Sequence, residues 1–259
     1  MKFKTKISLL RQSPLHEYIK TIIPAYATGP TGLLTVPYLV RLFQEAAMLN
    51  TLTLKVSSPE LMASHGLTWV VRRQRITCHR WPKMSEEVAI LTAPTGFYRG
   101  LLTYRDFHLL DANDQPIISA TSEWLLMDLA ARRIRNIPPH VAALEKDLAP
   151  ATAHLDRAKS KLLPPEEITN EITTEVRYGM LDFNDHLTNP VFPELMLEPL
   201  GKAFLDENQP TLIDISFRAE ARYGETLRAT VGGEGSGRDH GFYRGEELLA
   251  VMRTEWKSL

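Results

Sequence analysis

The densest set of polar side chains lies in Leu181-Asp182-Phe183-Asn184-Asp185-His186-Leu187-Thr188-Asn189-Pro190. Asp182, Asn184 and His186 alternate, so in an extended segment they present a carboxylate, an amide and an imidazole to one side. Such a set can polarise a carbonyl, orient a water and move a proton at neutral pH, as hydrolysis of an activated ester requires. The same residue types also build turns at helix starts, and by themselves the structural and chemical readings are balanced. Asn189 reads as the N-cap of a helix whose first position is Pro190.

The flanking segments must position this cluster. Leu39, Leu42, Phe43, Ala46 and Ala47 recur at three- and four-residue steps, which predicts a helix over 33–54, with Thr35 at its N-cap and Pro37 in its first turn. Strands are expected at 69–77, 87–92, 100–111 and 117–127, the last two joined by the turn Asp111-Ala112-Asn113-Asp114. From 142 to 167 the composition shifts to Ala, Lys, Glu, Asp and Pro with weak periodicity, which reads as a linker. The order then returns: a strand at 172–178, a helix at 190–205, and strands at 213–221, 226–232 and 248–256. In the strand at 213–221, alternation puts Ile213, Ile215, Phe217, Ala219 and Ala221 on one face. Asp214, Ser216, Arg218, Glu220 and Arg222 fall on the other.

One helix followed by antiparallel strands thus occurs twice, and residues repeat with it. Thr121-Ser122-Glu123-Trp124-Leu125 ends the first half as Arg253-Thr254-Glu255-Trp256-Lys257 ends the second. Matching Pro37 with Pro190 sets Asp182, Asn184 and His186 against Gly29, Thr31 and Leu33, so one copy carries polar groups that the other lacks. The expected class is α+β, two tandem hot-dog folds, each a long helix on an antiparallel sheet. Residues 1–140 would form the N-terminal fold, 141–168 the linker and 169–259 the C-terminal fold.

The pattern Asp-x-Asn-x-His-x-x-Asn resembles the active-site motif of the plant-type acyl-acyl carrier protein thioesterases, whose catalytic Glu lies downstream in a strand. Phe217-Arg218-Ala219-Glu220-Ala221 resembles that strand, with Glu220 34 residues after His186. Trp69-Val70-Val71, Arg80-Trp81-Pro82, Arg105-Asp106-Phe107, Ala120-Thr121-Ser122-Glu123-Trp124 and Arg132-Arg133-Ile134-Arg135-Asn136-Ile137-Pro138 each resemble a family block, in order. The resemblance implies hydrolysis of fatty acyl-acyl carrier protein thioesters. Asp182, Asn184, His186 and Glu220 would be the catalytic residues, with no cofactor and no metal, and the acyl chain would lie in the first half near Leu39 to Leu49. Ala221 stands where the family often has Cys, so no thiolate can act there, and Phe192 replaces a usual Tyr and its hydroxyl.

Within this reading Glu220 or Asp182 is the general base on water, or Asp182 attacks the carbonyl directly, while Asn184 and His186 hydrogen-bond the carbonyl or the water. Backbone N–H groups near Asn189 to Val191 are expected to face the oxyanion. The acidic carrier protein would dock on Arg72, Arg73, Arg75, Arg132, Arg133 and Arg135. Other readings are an acyl-CoA thioesterase on the same fold and a non-catalytic acyl-binding or sensor module.

A net charge of −1 leaves no global field to draw nucleic acid or an anionic membrane. No run approaches the roughly 18 apolar residues of a transmembrane helix. Met1 to Leu10, with Lys2, Lys4 and Lys6, reads as no export signal. The single cysteine, Cys78, excludes an internal disulfide and reads as a small buried strand residue in a cytoplasmic protein, monomeric or homodimeric. There is no Gly-x-Ser-x-Gly elbow or His-Glu-x-x-His, and Gly232 to Gly237 reads as a hairpin loop rather than a phosphate loop.

Overall fold

The computed structural model describes residues 2–259, with side chains described from Thr5 onward. The chain divides into two compact units, and neither is one continuous stretch: 1–23, 42–74 and 85–158 make up the first, and 24–41, 75–84 and 159–259 the second.

In the first unit, strands β1 (Glu17–Ile22), β2 (Leu67–Cys78, as far as Gln74), β3 (Glu87–Tyr98), β4 (Leu102–Leu110) and β5 (Pro116–Asp128) form an antiparallel sheet in the order β1-β3-β4-β5-β2. The short β6 (Arg133–Arg135) pairs with β5. Helix α1 (Lys2–Gln12), which hydrophobic periodicity did not single out, packs Ile7 and Leu10 against Ala89, Leu91, Ala93 and Leu110. Helix α2 (Val36–Thr53) begins directly after Thr35 and enters this unit at Leu42, where Phe43 of its expected apolar stripe is fully buried and stacks on Phe107 with ring centroids 4.9 Å apart. Helix α3 (Ser58–His65) was unanticipated, although its signal is plain: Ser57 and Glu60 close a capping box, with a proline in the first turn.

The short helix α4 (Pro139–Ala142) straddles the start of the expected linker, which then holds two 3-10 turns and ties itself to β4. Arg157 donates to the buried Asp106 at 2.6 Å, and Leu155 N–H donates to the other oxygen of the same carboxylate at 2.8 Å.

In the second unit, β7 (Asn170–Glu175), β8 (Asn208–Phe217), β9 (Thr226–Gly232), β10 (Gly237–Arg244) and β11 (Glu247–Ser258) form an antiparallel sheet in the order β8-β11-β10-β9-β7. The glycine-rich stretch is the β9–β10 hairpin loop, as expected. The helix expected over 190–205 is broken. Helix α5 (Val191–Leu197) stops, a 3-10 turn carries Pro199, and α6 (Lys202–Glu207) restarts after Gly201 at φ +79°. Pro199 has no N–H for the helix ladder, and only glycine adopts that backbone angle without strain. Its first half stays buried because Phe192 packs edge-on against Phe217 and Phe242; a tyrosine hydroxyl would have to fit among these rings.

The terminal repeat is structural as well as sequential. Trp124 Nε1 donates to Ser122 Oγ at 2.6 Å, and Trp256 Nε1 donates to Thr254 Oγ1 at 2.7 Å.

Candidate active site

The loop from Met180 to Thr188 is a closed hairpin that precedes α5. Asp182 N–H donates to His186 O at 2.8 Å and Thr188 N–H to Met180 O at 2.9 Å. Asp185 sits at φ +62°, a left-handed position that Asp tolerates better than most residues. The carboxylate of Asp182 fills the hairpin: Oδ1 accepts from the backbone N–H of Asn184 at 2.8 Å and of His186 at 3.2 Å. Asp182 therefore has the turn-building role that its type suggested, with Oδ2 unengaged among the described residues. The side-chain amide of Asn184 likewise has no hydrogen-bond partner among them.

Glu220 does not stand in a strand as expected. β8 ends at Phe217, where Arg218 and Ala219 both donate to the one carbonyl of Leu249, and the alternation of faces is lost. This bulge turns Glu220 toward the loop. Its Oε2 lies 3.2 Å from His186 Nδ1, and both side chains are half-buried. The polar face of this strand is also partly enclosed: Asp214 is buried 3.6 Å from Arg75.

Sequence reasoning assigned no role to the third partner of this pair. Arg222 Nη2 lies 3.3 Å from His186 Nε2 and 3.6 Å from Glu220 Oε1. A guanidinium only donates, so Nε2 accepts, and the neutral ring carries its hydrogen on Nδ1 and donates it to Glu220. Arg222 already stood on the Glu220 face of the sequence alternation; what was missing was a reason to bring it to the imidazole. Glu225 and Arg244 hold the turn that does so. Glu225 accepts from Arg222 N–H at 2.8 Å, and Arg244 donates to Glu225 at 2.7 Å and to Glu220 O at 3.4 Å.

The helix start supplies less than expected. Val191 N–H is used by Thr188 O and Phe192 N–H by Asn189 O, and Pro190 has none, which leaves the N–H of Asn189. Nor is Asn189 the cap: the cap position is Pro190, in helical geometry, with no side-chain bond.

Two family models match this chain, the acyl-ACP thioesterase N-terminal domain over residues 17–144 and the C-terminal domain over residues 164–258. The chain belongs to the acyl-ACP thioesterase family. Among family relatives, the oleoyl-acyl carrier protein thioesterase of Coriandrum sativum is 26% identical over 240 residues, covering 86% of this chain and 64% of the relative. The acyl-[acyl-carrier-protein] hydrolase FATB2 of Cuphea viscosissima is 26% identical over 257 residues, covering 91% and 61%. The chain thus spans somewhat under two thirds of the length of these relatives. The fold is that of the 12:0-ACP thioesterase from Umbellularia californica, with TM-score 0.85, 21% identity, and 95% and 98% of the two chains covered. An acyl-ACP thioesterase from Bacteroides thetaiotaomicron gives 0.82, 18%, 94% and 98%. The two tandem hot-dog folds expected from the repeat are the architecture of this acyl-ACP thioesterase family member.

Against the family pattern, Ala221 is fully buried and offers no nucleophile. Cys78 cannot replace the missing thiolate, because burial pushes its thiol up. Among the described residues no cluster of His, Cys, Asp and Glu is arranged to hold a metal ion, and no helix is long and apolar enough to cross a membrane.

The six arginines expected to dock the carrier protein differ in their surroundings. In the first unit Arg73 is buried, Arg72 pairs with Glu123, and Arg135 pairs with Asp128 at 2.8 Å, while Arg132 and Arg133 are exposed. In the second, Arg75 is turned to Asp214. Glu123, Asp128 and Asp214 thus pair with three of the six arginines that sequence alone assigned to a partner.

Proposed function

We propose that this protein hydrolyses fatty acyl-acyl carrier protein thioesters to free fatty acid and carrier protein, with its chemistry in residues 169–259 and the acyl chain held by residues 1–140 near Leu39 to Leu49. The observation that carries this reading is the 3.2 Å pairing of His186 with Glu220, within the motif and spacing of the family to which the chain belongs. The family relatives' activity, named for acyl carrier protein substrates, supports the substrate class.

In this mechanism a water attacks the thioester carbonyl and gives its proton to Nε2 of His186, from which Arg222 withdraws as substrate enters. Glu220, accepting from Nδ1–H, steadies the imidazolium that forms. The Asn184 amide and the Asn189 N–H face the oxyanion. Collapse of the tetrahedral intermediate breaks the C–S bond, and the imidazolium proton passes to the leaving sulfur. Asp182 shapes the loop through Oδ1 and leaves Oδ2 to orient the water. No cofactor enters this scheme, and the protein works in the cytoplasm as a monomer or homodimer.

The test is thiol release from a panel of acyl-acyl carrier proteins and acyl-CoAs, with His186→Ala, Glu220→Ala and Asp182→Ala beside the parent. Loss of a positioned acid-base group lowers kcat by about 10²- to 10⁴-fold. Unchanged rates in all three variants remove the site. Faster release from acyl-CoA than from acyl carrier protein changes the substrate, and silence toward every thioester leaves an acyl-binding module.

A further inference from the structure

The first repeat contains the same loop as the candidate active site, bond for bond. Gly29 N–H donates to Leu33 O at 3.0 Å as Asp182 does to His186, and Gly32 N–H to Gly29 O at 2.9 Å as Asp185 does to Asp182 at 3.1 Å. Thr35 N–H donates to Ala27 O at 3.1 Å, the counterpart of Thr188 to Met180. Gly32 takes the left-handed position of Asp185, at φ +71°. Leu34 N–H donates to Pro82 O at 2.9 Å where Leu187 donates to Ala221 O at 2.8 Å, so Trp81 stands where the second repeat has Glu220. The positions of Asp182, Asn184, His186 and Glu220 are therefore taken by Gly29, Thr31, Leu33 and Trp81.

All four of these replacements line one cavity of about 390 Å³ inside the second unit, closed further by Leu197, Leu205 and Trp256. This volume lies within the range of about 300–1,000 Å³ common for small-molecule sites. Its indole walls are saturated: Trp81 Nε1 donates to Pro210 O at 2.8 Å and Trp256 Nε1 to Thr254 Oγ1, so the rings offer carbon faces to a ligand. Polar groups gather at Glu194, Glu198 and Asp206. Arg41, 4.0 Å from Glu194, and Lys202, paired with Asp206, offset two of the three carboxylates and leave an excess negative charge.

We propose that this cavity is a second, non-hydrolytic binding site for an aliphatic chain with an uncharged head, as in an esterified acyl group, and that it rejects the free carboxylate. The loop frame is that of the candidate thioester site, its four positions have lost both carboxylates, the amide and the imidazole, and the replacements are apolar or small. The inference rests on the proposed hydrolase function only in taking acyl chains as the apolar ligands at hand. Bound here, an acyl ester is held rather than cleaved, and the released acid does not compete for the place.

The probe is 11-bromo-1-undecanol, whose bromine quenches tryptophan on contact and which has no thioester to hydrolyse. Saturable quenching is expected, with the apparent Kd raised about tenfold or more by Leu33→Phe and by Leu205→Phe, and unchanged within about twofold by Glu220→Gln. 1-Undecanol should compete, and undecanoate about tenfold less well. The two filling variants lie on separate elements, so one remains readable if the other fails to fold, which circular dichroism reports. Absence of saturable quenching, equal affinity in both filled variants, loss of binding in Glu220→Gln, or equal competition by undecanoate overturns the site. Thiol release followed in parallel separates the two readings. Alkanol binding without hydrolysis keeps this site and removes the hydrolase, and hydrolysis without alkanol binding does the reverse.

Discussion

Arg222 places a guanidinium N–H 3.3 Å from Nε2 of His186, and the same nitrogen lies 3.6 Å from Glu220, whose other oxygen is 3.2 Å from Nδ1. The imidazole is thereby held as one tautomer, with hydrogen on Nδ1. Nitrogen-15 chemical shifts of His186 near neutral pH should show a protonated Nδ1 and a bare Nε2 for the neutral ring. In Arg222→Ala the preference should weaken while Glu220 still anchors Nδ1, and Glu220→Gln should reduce it further. A bare Nδ1 in the parent protein overturns this assignment.

Asp182 has a structural duty that its amide analogue can share. Asp182→Asn keeps a carbonyl oxygen to accept from Asn184 and His186, so urea unfolding should differ from the parent by under about 0.5 kcal/mol. Asp182→Ala leaves two N–H groups without that acceptor and should cost about 1–2 kcal/mol. Thiol release then separates duty from chemistry: if Asp182 attacks the carbonyl itself, Asp182→Asn is inactive although folded, and if it orients water, part of the activity survives.

Two buried histidines should make the protein sensitive to mild acid. Burial pushes His240 down to about 3 and His108 down to about 4, against an ordinary value of 6.5. Between those values and 6.5 the unfolded chain binds protons that the folded chain refuses, so stability is whole above pH 6.5 and falls as pH drops toward 4. Each histidine contributes a slope approaching about 1.4 kcal/mol per pH unit once well below 6.5. Urea unfolding at pH 7.5, 6.0 and 5.0 measures this, and His108→Gln should flatten the dependence; a flat profile in the parent refutes it.

Arg157 is the cation of a nearly enclosed pair. It donates to Asp106, Thr121 and Thr95, and Asp106 is fully buried. Arg157→Met should destabilise the protein by about 3–5 kcal/mol, because a buried carboxylate loses its partner. Asp106→Asn combined with Arg157→Met should recover part of that loss by removing the stranded charge, and thermal or urea unfolding of the three variants decides it. No recovery in the double variant sets the cost in lost packing instead.

Much was already legible along the chain. The stripe through Leu39, Phe43 and Ala47, the hairpin turn at Asp111, and the paired endings at Trp124 and Trp256 follow local rules of period and turn chemistry, which act over a few residues and survive any tertiary context. Asp182, Asn184 and His186 stood out by their alternation, whereas Glu220 and its 34-residue step from His186 were read through the family resemblance.

What tertiary structure decided were matters of direction and partnership. Glu220 faces His186 because a bulge at Leu249 ends β8 and turns the chain, an event set by a neighbouring strand and invisible to alternation. Arg222 reaches the imidazole because Glu225 and Arg244 pin the turn. Trp81 and Glu220 became counterparts only when Pro82 and Ala221 accepted matching bonds from the two loops. Sequence spacing determines which residues share an element. Where a side chain ends up across 30 or 50 residues depends on backbone hydrogen bonds made by other segments, and those exist only in the folded chain.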